Sequence, residues 1–511
     1  MYARKKKNKS GAVSVQVIEK RKGKYNVIQT FGSSKNKDEI ETLWTAAKQY
    51  AEAPPEQQTL GFATATDKVI LDFFKHKTGL FARTVGPEKI LGAIFDHIGF
   101  NAIPDELFKH IVIARMVYPA SKLKTAHYLE QYKGISFDVG KIYRFLDTLH
   151  KNYKDIVEQI SFRHTKKILN GNISVAFYDM TTLYFEAEDE DDLRKIGFSK
   201  DGKFQCPQIM IGLLVGEGGY PIGYDIFKGN TFEGHTLIPA IEKMREKYGF
   251  EKPIVVADAG LLSKDNLKTL ADEGYGFILG ARIKNESEKL KKEIREKSAG
   301  MKDGEIFEAK KENGIRLVVS FSEKRKRKDV HNRKKGLEKL RTKVKSGKLN
   351  KEHINNRGYN KFLSLSGDVA VTVDESKIAE DAQFDGLKGY VTNTEAKPKE
   401  VISRYGNLWR IEKAFRISKT DLRIRPIFHY KQKRIEAHIC ISFVAYAVYK
   451  EFERLLYEKN APFSVQKAID MTKTVYELSF ILPDSMKKHS ATLEMSEQQK
   501  FLFEIVDNLK K

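Results

Sequence analysis

Alternating apolar and polar residues near the start of the chain predict a small β-hairpin. In "AVSVQVIEKRKGKYNVIQTFG", residues 12–32, two such runs flank a charged turn that contains Gly23. A period of two places the apolar side chains of a strand on one face, and glycine suits the turn between antiparallel strands. With the cationic run that precedes it, this pattern predicts a basic β-hairpin segment over residues 1–60.

Apolar residues at spacings of three and four predict helices over residues 61–168. The pattern is clearest in "DELFKHIVIARMVYP", "SKLKTAHYLEQY" and "VGKIYRFLDTLHKNY". Short connections at residues 119–121 and around Gly134 separate these three helices. The arrangement is compatible with a helix-turn-helix domain that binds DNA, and equally with an ordinary helical bundle.

Strand-like and helical patterns alternate over residues 169–285. "NISVAFYDMTTLYFEA" predicts a strand, "QIMIGLLVGEGGYPIGYDIFKG" predicts two strands joined by a glycine-rich turn, and "GHTLIPAIEKMREKYG" predicts a helix. The strand "KPIVVADAG", a helix capped by Ser263 and the strand "GFILGARI" follow. This order predicts a mixed α/β sheet covered by helices.

The α/β pattern breaks over residues 286–384 and resumes over residues 385–450. The break contains the basic run "SEKRKRKDVHNRKKGLEKLRTKVKSGK", which suits a solvated helix or an inserted subdomain that faces DNA. "DGLKGYVTNT" resumes the sheet, and "RIEAHICISFVAYAVYKEFERLL" predicts an apolar helix. We expect residues 451–511 to form a C-terminal helical region.

Composition adds a partner to this picture. The 511 residues are enough for two to four domains, and 91 Lys and Arg against 68 Asp and Glu give a formal net charge of +23. Such an excess favours a polyanion, because neutralising phosphates releases condensed counterions. Nucleic acid is therefore favoured over a merely basic protein as the explanation, and the N-terminal segment is compatible with a DNA-contacting arm and equally with a solvated terminus.

Cysteine usage indicates the compartment. Cys206 and Cys440 are the two cysteines and form no CxxC pair, which argues against zinc ribbons and a secreted disulfide framework. The basic start "MYARKKKNKSGAV" is not followed by an apolar signal segment, and no stretch approaches the length of a membrane span. We expect a protein of the reducing cytoplasm with no membrane partner.

Two aspartates lie at predicted strands, where an unpaired charge is costly. Asp179 shares a strand face with Val175 and Phe177, and Asp258 ends the strand "IVVAD". A buried carboxylate needs a partner or a metal, although one acid at a strand end is more often a cap or turn residue. Two such acids in one sheet, followed by Glu412 in a basic context, indicate a site. Three converging carboxylates can hold two divalent cations about 3.5–4 Å apart, which activate water and stabilise a departing oxygen in phosphoryl transfer.

The segment "YGNLWRIEKAFRISK", residues 405–419, places Tyr405, Glu412 and Lys419 at intervals of seven. Seven residues are close to two helical turns, so one helix would carry all three side chains in a single stripe. Cations that bind phosphates around a metal site would explain why a carboxylate belongs in a basic helix.

Other reaction classes find less support in the sequence. "GEGGYPIG" resembles a phosphate-binding loop, but a strand follows it, so a hairpin turn is favoured. His235, His429 and His438 lack the HExxH spacing, and their default interpretation is structural. The sequence contains neither a G-x-S-x-G elbow nor a Walker A lysine, which disfavours hydrolase and nucleotide-driven functions.

With these acids, the chain resembles the DDE transposases of bacterial insertion sequences, in particular the insertion-sequence-four superfamily with its Y-x2-R-x3-E-x6-K signature. Tyr405, Glu412 and Lys419 match that signature, whereas Leu408 stands at the arginine position. Arg410 and Arg416 are candidates to replace this arginine. The segments "YDMTTLYFE", "VVADAGLLS" and "RPIFHYKQKRIEAH" are also similar to the group, and the resemblance runs from about residue 170 to residue 450.

The resemblance implies an RNase H-like core that an insertion domain interrupts. It implies that Asp179, Asp258 and Glu412 are catalytic and bind two Mg²⁺ or Mn²⁺ ions. Water would then cut a phosphodiester at each element end, and the freed 3′ hydroxyl would attack target DNA. Tyr405, Lys419 and an arginine, Arg410 or Arg416, would contact the DNA.

The same resemblance implies the partners and the location. The partners would be double-stranded DNA, as terminal inverted repeats and as target, and a second copy of the chain in a homodimer that holds paired ends. The location would be a bacterial cytoplasm, with the protein on the nucleoid when bound to DNA.

Two other functions stay open at this stage. A catalytically silent DNA-binding protein derived from a transposase would keep the fold without the chemistry; the three acids argue against it, while Leu408 leaves room for impaired activity. A standalone metal-dependent nuclease would share the acids but would not join strands. Strand transfer separates this nuclease from a transposase.

Overall fold

The computed structural model divides into two compact units, Met1–Leu80 with Ile481–Lys487, and Phe81–Phe480 with Lys488–Lys511. The structure describes residues 1–21, 23–52, 80–199, 202–249, 251–261, 263–311, 314–347, 349, 351–355, 358–366, 370–482 and 486–509.

Over residues 1–21 and 23–52, the smaller unit contains a three-stranded antiparallel sheet and one helix. Its elements are β1 Tyr2–Lys7, β2 Val13–Arg21, β3 Lys24–Ser34 and α1 Lys37–Glu52. The predicted hairpin is confirmed as β2 and β3. The cationic run before it, which had no assigned structure, pairs with β2 as a third strand. The predicted segment continues into residues 53–60, which lie outside the described residues.

The larger unit begins with a short strand and five helices, in the region where the apolar spacing predicts helices. They are β4 Phe81–Thr84, α2 Gly86–Ile98, α3 Glu106–Val117, α4 Lys122–Lys133, α5 Val139–Thr148 and α6 Lys154–Ile168. The side chain of Ser121 accepts a hydrogen bond from the Lys124 amide at the start of α4, and Gly134 ends that helix in the left-handed conformation. Residues 61–79 of the predicted region lie outside the described residues.

The central sheet follows in the predicted order of strand, hairpin, helix, strand, helix and strand. Its first elements are β5 Val175–Tyr184, β6 Gln208–Val215, β7 Pro221–Lys228, α7 Leu237–Tyr248, β8 Ile254–Ala257, α8 Lys264–Asp272 and β9 Phe277–Ala281. Strands β5, β6 and β7 are antiparallel neighbours, whereas β5, β8 and β9 are parallel. The predicted mixed α/β sheet is thus confirmed.

Residues 286–384 do not form one separate insertion. The elements here are α9 Glu288–Ser298, β10 Ile306–Lys310, β11 Arg316–Phe321, α10 Glu323–Lys345, β12 Leu363–Ser366, β13 Ala370–Val373 and α11 Glu375–Ala382, followed by β14 Leu387–Thr392. Strands β10, β11 and β14 extend the central sheet to eight strands, in the order β10-β11-β14-β9-β8-β5-β6-β7. Because β11 pairs along its length with β14, the part that interrupts the core lies between these two strands.

The last part of the chain is helical but not only helical. Its elements are α12 Pro398–Gly406, α13 Trp409–Arg416, α14 Gln432–Glu458, α15 Val465–Thr472, β15 Tyr476–Ile481, β16 Lys488–Thr492 and α16 Glu497–Asp507. The predicted helical region after residue 450 therefore needs a correction, since it contains two strands. The alternating run "YELSFI" forms β15, which pairs antiparallel with β4.

Two apolar layers cover the two faces of the central sheet, and one helix dominates the first layer. Helix α14 is buried along most of its length and packs against α2, α3, α5 and α6 as well as β7. Along β5, Val175 and Phe177 face this helical layer, while Ala176 and Tyr178 face the opposite layer. Of the helices that the structure describes, none has an apolar stretch long enough to cross a bilayer.

Candidate active site

Two of the predicted acids lie side by side on the central sheet. Strands β5 and β8 are parallel, and Tyr178 pairs with Ala257 in their register. The next residue along each chain is an aspartate, Asp179 on β5 and Asp258 just beyond β8. Successive residues of a strand point to opposite faces, so both aspartates belong to the face of the helical layer. The structure therefore brings together the first two acids of the predicted triad.

A buried tyrosine holds Asp258. The Tyr405 hydroxyl donates a hydrogen bond to Asp258 Oδ1 at 2.8 Å, and Tyr405 as a whole is 6% exposed. Burial raises the pKa of Tyr405, and the nearby charge of Asp258 raises it further, so the phenol keeps the proton that it donates. A Cβ at Gly280 would lie 2.6 Å from Tyr405 Oη, so glycine at this position of β9 lets the ring reach Asp258.

Glu412 approaches the same face from above the sheet. Helix α13 packs on β5 through its buried residues Ile411 and Ala414, which leaves Glu412 on the exposed side of the helix. The carboxylate lies near enough to Tyr405 for its charge to raise the pKa of that phenol. The third acid therefore shares the electrostatic environment of Asp258 and Tyr405.

The prediction of a single helix for residues 405–419 is wrong. Helix α12 ends at Gly406, α13 begins at Trp409, and Lys419 lies in a π-helical turn over Ile417–Asp421. At the junction the Asn407 amide is shared between the carbonyls of Ser403 and Arg404, and the Leu408 amide bonds to the carbonyl three residues back, which ends the first helix. Gly406 favours this break, since glycine is a poor helix former. The predicted stripe is therefore divided, with Tyr405 buried and Glu412 exposed.

The predicted DNA-binding cations are dispersed. Arg410 donates to Asn407 Oδ1 at 3.2 Å and its guanidinium lies 5.3 Å from the Trp409 ring centroid. Arg416 interacts electrostatically with Asp421, the last residue of the π-helical turn. Lys419 lines a small cavity together with Thr181 and Leu183, further along β5 than Asp179, and Leu408 is buried at 6% exposure. The contacts described for the two arginines do not include the acids.

Lys388 on β14 also lies at this site, although the sequence pattern did not predict it. Its Nζ lies 4.4 Å from the ring centroid of Tyr405 and 5.5 Å from that of Tyr390. Burial lowers the pKa of Lys388, and the charge of Arg325 lowers it too, whereas Asp258 and Glu412 act in the opposite direction. The signal was present in "LKGYV", since Lys388 and the buried Tyr390 are two residues apart and share a strand face.

A cleft of about 570 Å³ opens from this point, with Asp258, Lys388 and Tyr405 among the residues that line it. The other two lysines of its lining, Lys284 and Lys361, both pair with Asp381, at 2.8 Å and 2.5 Å. Arg333 forms a two-point ion pair with Asp385. The cleft is thus strongly polar, and most of its charges neutralise one another.

The acids offer the ligand chemistry of a hard cation. Asp179, Asp258 and Glu412 present carboxylate oxygens, which Mg²⁺ and Mn²⁺ prefer. Asp179 Oδ1 also accepts the Met180 amide at 2.7 Å, as Asp258 Oδ1 accepts the Tyr405 hydroxyl, so hydrogen bonds orient both aspartates. In this conformation, no three His, Cys, Asp or Glu side chains of the described ranges cluster closely enough to hold a metal. The donor atoms suit a divalent metal, although the three acids are not drawn together.

Comparison with known proteins places the chain in a family. No curated protein matches the sequence significantly. Among solved structures, the piggyBac transposase in a synaptic complex with hairpin DNA is similar at a TM-score of 0.39 and 10% identity, over 82% of this chain and 85% of that one. The family model of the transposase DDE domain matches residues 171–448, which is more than half of the 511 residues and spans all three acids. On this match, the chain belongs to the family of transposases with a DDE domain.

Proposed function

We propose that this transposase binds the terminal inverted repeats of its own insertion sequence, cuts the DNA there and joins the 3′ ends to target DNA. The observation that carries the proposal is the parallel pairing of β5 and β8, which sets Asp179 beside Asp258 on the face that Glu412 approaches. Membership of the transposase family supports the same function.

Asp179, Asp258 and Glu412 would hold two Mg²⁺ or Mn²⁺ ions. When bound, such ions activate an attacking water or hydroxyl and stabilise the departing oxygen of a phosphodiester. The protein's own part is to position the carboxylates. Tyr405 does this for Asp258, because its hydroxyl fixes Oδ1 while its ring packs against Gly280 of β9 and Tyr390 of β14.

DNA binding would rest on many basic side chains. The net charge of +23 supports a polyanionic partner. Lys419 lies beside Thr181 and Leu183, which follow Asp179 on the same face of β5. It is therefore a candidate to contact DNA near the cut. Arg410 and Arg416 would contact DNA away from the acids, whereas Tyr405 would act chiefly on Asp258. A homodimer would hold two element ends together.

The test is metal-dependent cutting and joining of labelled DNA that carries the repeats flanking the gene. The variant is Asp258→Asn, because asparagine keeps the side-chain shape and an oxygen that can accept the Tyr405 hydrogen bond. The matched control is Asp272→Asn, which removes the charge of an exposed aspartate at the end of α8. The parent and the control should cut and join with Mg²⁺, and Asp258→Asn should bind the repeats without cutting them.

The outcomes separate the alternatives. Cutting by Asp258→Asn at the parental rate would contradict the metal site. Cutting without joining would favour a nuclease. Tight binding with neither reaction, in both Mg²⁺ and Mn²⁺, would favour a silent DNA-binding protein.

A further inference from the structure

We propose that Lys388 binds a phosphate group of the DNA at the acid site, and that β14 thereby supplies the cation that the signature helix lacks at Leu408. This inference rests on the proposed function and adds a residue that the signature does not contain. It assigns the phosphate contact to a strand that lies almost twenty residues before Leu408 in the sequence.

The ammonium group of Lys388 lies close to the acid site. Lys388 shares its strand face with Tyr390, and the rings of Tyr390 and Tyr405 meet edge to face at a centroid distance of 4.9 Å. The ammonium lies over the Tyr405 ring at 4.4 Å, and the hydroxyl of that ring holds Asp258. Lys388 is therefore fixed beside the acids by a cation–π contact rather than by a carboxylate.

The charge of Lys388 is not neutralised as the charges of the other lysines in the cleft are. Within the described ranges the Lys388 side chain forms neither a hydrogen bond nor an ion pair, whereas Lys284 and Lys361 in the same cleft are both paired with Asp381. Asp258 and Glu412 act on the ammonium only at a distance, and a partly buried ammonium without a directly bonded anion is costly, so a ligand anion in contact with it would lower this cost. The cleft gives such a ligand access, because Lys388 and Asp258 both line it.

Neither position 408 nor Arg410 of the helix is placed to supply this cation. Leu408 is 6% exposed and belongs to the apolar layer beneath the helix, so a side chain at this position points into the core. Arg410 is occupied by Asn407 and the Trp409 ring. A cation beside acids that would hold metal ions is suited to a phosphate, because a phosphate is an anion and accepts charge-assisted hydrogen bonds from an ammonium group.

The test measures coupling between Lys388 and single phosphates, by fluorescence anisotropy in EDTA so that no chemistry occurs. The probes are repeat-end duplexes in which a neutral methylphosphonate replaces the phosphate at the cleavage position or at either neighbour. Lys388→Met should weaken binding of the unmodified duplex about tenfold. The slope of log Kd against log salt should fall by about 0.9, which corresponds to one lost phosphate contact.

The decisive result is non-additivity. At one of the three positions, the methylphosphonate should weaken binding by the parent and leave binding by Lys388→Met unchanged. Lys388→Arg keeps the charge and should keep the coupling. The control Lys268→Met, which removes an exposed lysine of α8, should show the parental response to every duplex.

Strictly additive losses at all three positions would overturn the inference, as would equal affinities of Lys388→Met and Lys268→Met. Thermal unfolding of each variant distinguishes a lost contact from a misfolded site, and Lys388→Gln, which also removes the charge, replaces the methionine variant if that variant does not fold. A parent that cuts and joins DNA but shows no coupling refutes the role of Lys388 alone. A parent that binds no repeat refutes the proposed function as well.

Discussion

Replacing Tyr405 by phenylalanine removes one hydroxyl from the site and leaves the ring that packs under Lys388. The hydroxyl donates to Asp258 Oδ1 at 2.8 Å, and it is the contact by which a buried residue orients an exposed carboxylate. We expect Tyr405→Phe to raise the metal concentration needed for half-maximal cutting, while the rate at saturating metal changes much less.

The size of this increase follows from the hydrogen bond that the Tyr405 hydroxyl donates to Asp258. Residues that orient a metal-binding side chain typically contribute 10- to 100-fold in metal affinity or activity, so about this increase in the half-maximal metal concentration is expected. The effect on folding should be small. Water can replace the lost donor at the exposed Asp258, so the free energy of unfolding should fall by about 1 kcal/mol or less.

The assay is cutting of a labelled repeat-end duplex over a Mn²⁺ titration, with binding of Mn²⁺ followed in parallel by its electron paramagnetic resonance signal. The matched control is Tyr390→Phe. Its ring lies 4.9 Å from that of Tyr405, but its hydroxyl interacts with Ser320 rather than with an acid of the site. The control should titrate like the parent.

An unchanged Mn²⁺ dependence in Tyr405→Phe would refute the positioning role of the hydroxyl. A fall in saturating rate with an unchanged half-maximal concentration would also contradict it, because that pattern indicates a direct part in the reaction or in DNA binding. The second outcome would restore the DNA contact that the signature implies for Tyr405.

Two further predictions concern stability. Leu408→Arg, which restores the signature arginine, should lower the free energy of unfolding by about 3 kcal/mol or more because it buries a charge in the apolar layer. Urea unfolding measures this loss of stability. A stable, more active variant would contradict the prediction. Burial alone would raise the pKa of Glu451, but hydrogen bonds from Arg454 and a histidine lower it to about 2, so Glu451→Gln should cost about 3 kcal/mol at pH 7. A carboxylate with a lowered pKa stabilises the fold above about pH 4.5 and loses this effect as the pH falls toward 2, so the gap between parent and variant in urea unfolding should narrow over that window; a gap that does not depend on pH would contradict the assignment.

Local periodicity was sufficient to predict most of the core. The alternation around Asp179 and the short run before Asp258 correctly predicted two strands, and the order of elements predicted a mixed sheet. That both acids lie on one face could be argued from the alternation, but their adjacency depends on the register of β5 with β8. Register between strands separated by a hairpin and a helix is a tertiary property, and the sequence pattern does not specify it.

Long-range pairing also accounts for the errors at the edges of the core. The sequence pattern assigned β10 and β11 to an insertion because charged helices surround them. In the structure, β11 pairs with β14, although the whole inserted segment lies between the two strands in the sequence. Strand β15 was missed for the same reason, since its partner β4 is nearly four hundred residues earlier. Short strands take their stability from such partners, so their own sequences carry a weak signal.

The signature around Glu412 shows the limit of spacing as evidence. Intervals of seven suggest one continuous stripe, but the helix breaks after Gly406, and the three matched residues fall in three segments with different environments. Position 408 lies in the apolar layer, where leucine fits and arginine would not. That position therefore supplies no cation, whereas the face of β14 that carries Tyr390 offers one at Lys388, over the ring whose hydroxyl holds Asp258. The leucine at the signature position and the lysine on β14, whose side chain has no ion pair in the described part of the chain, therefore complement each other. Motif spacing within a single element cannot reveal such a relation between a helix and a strand.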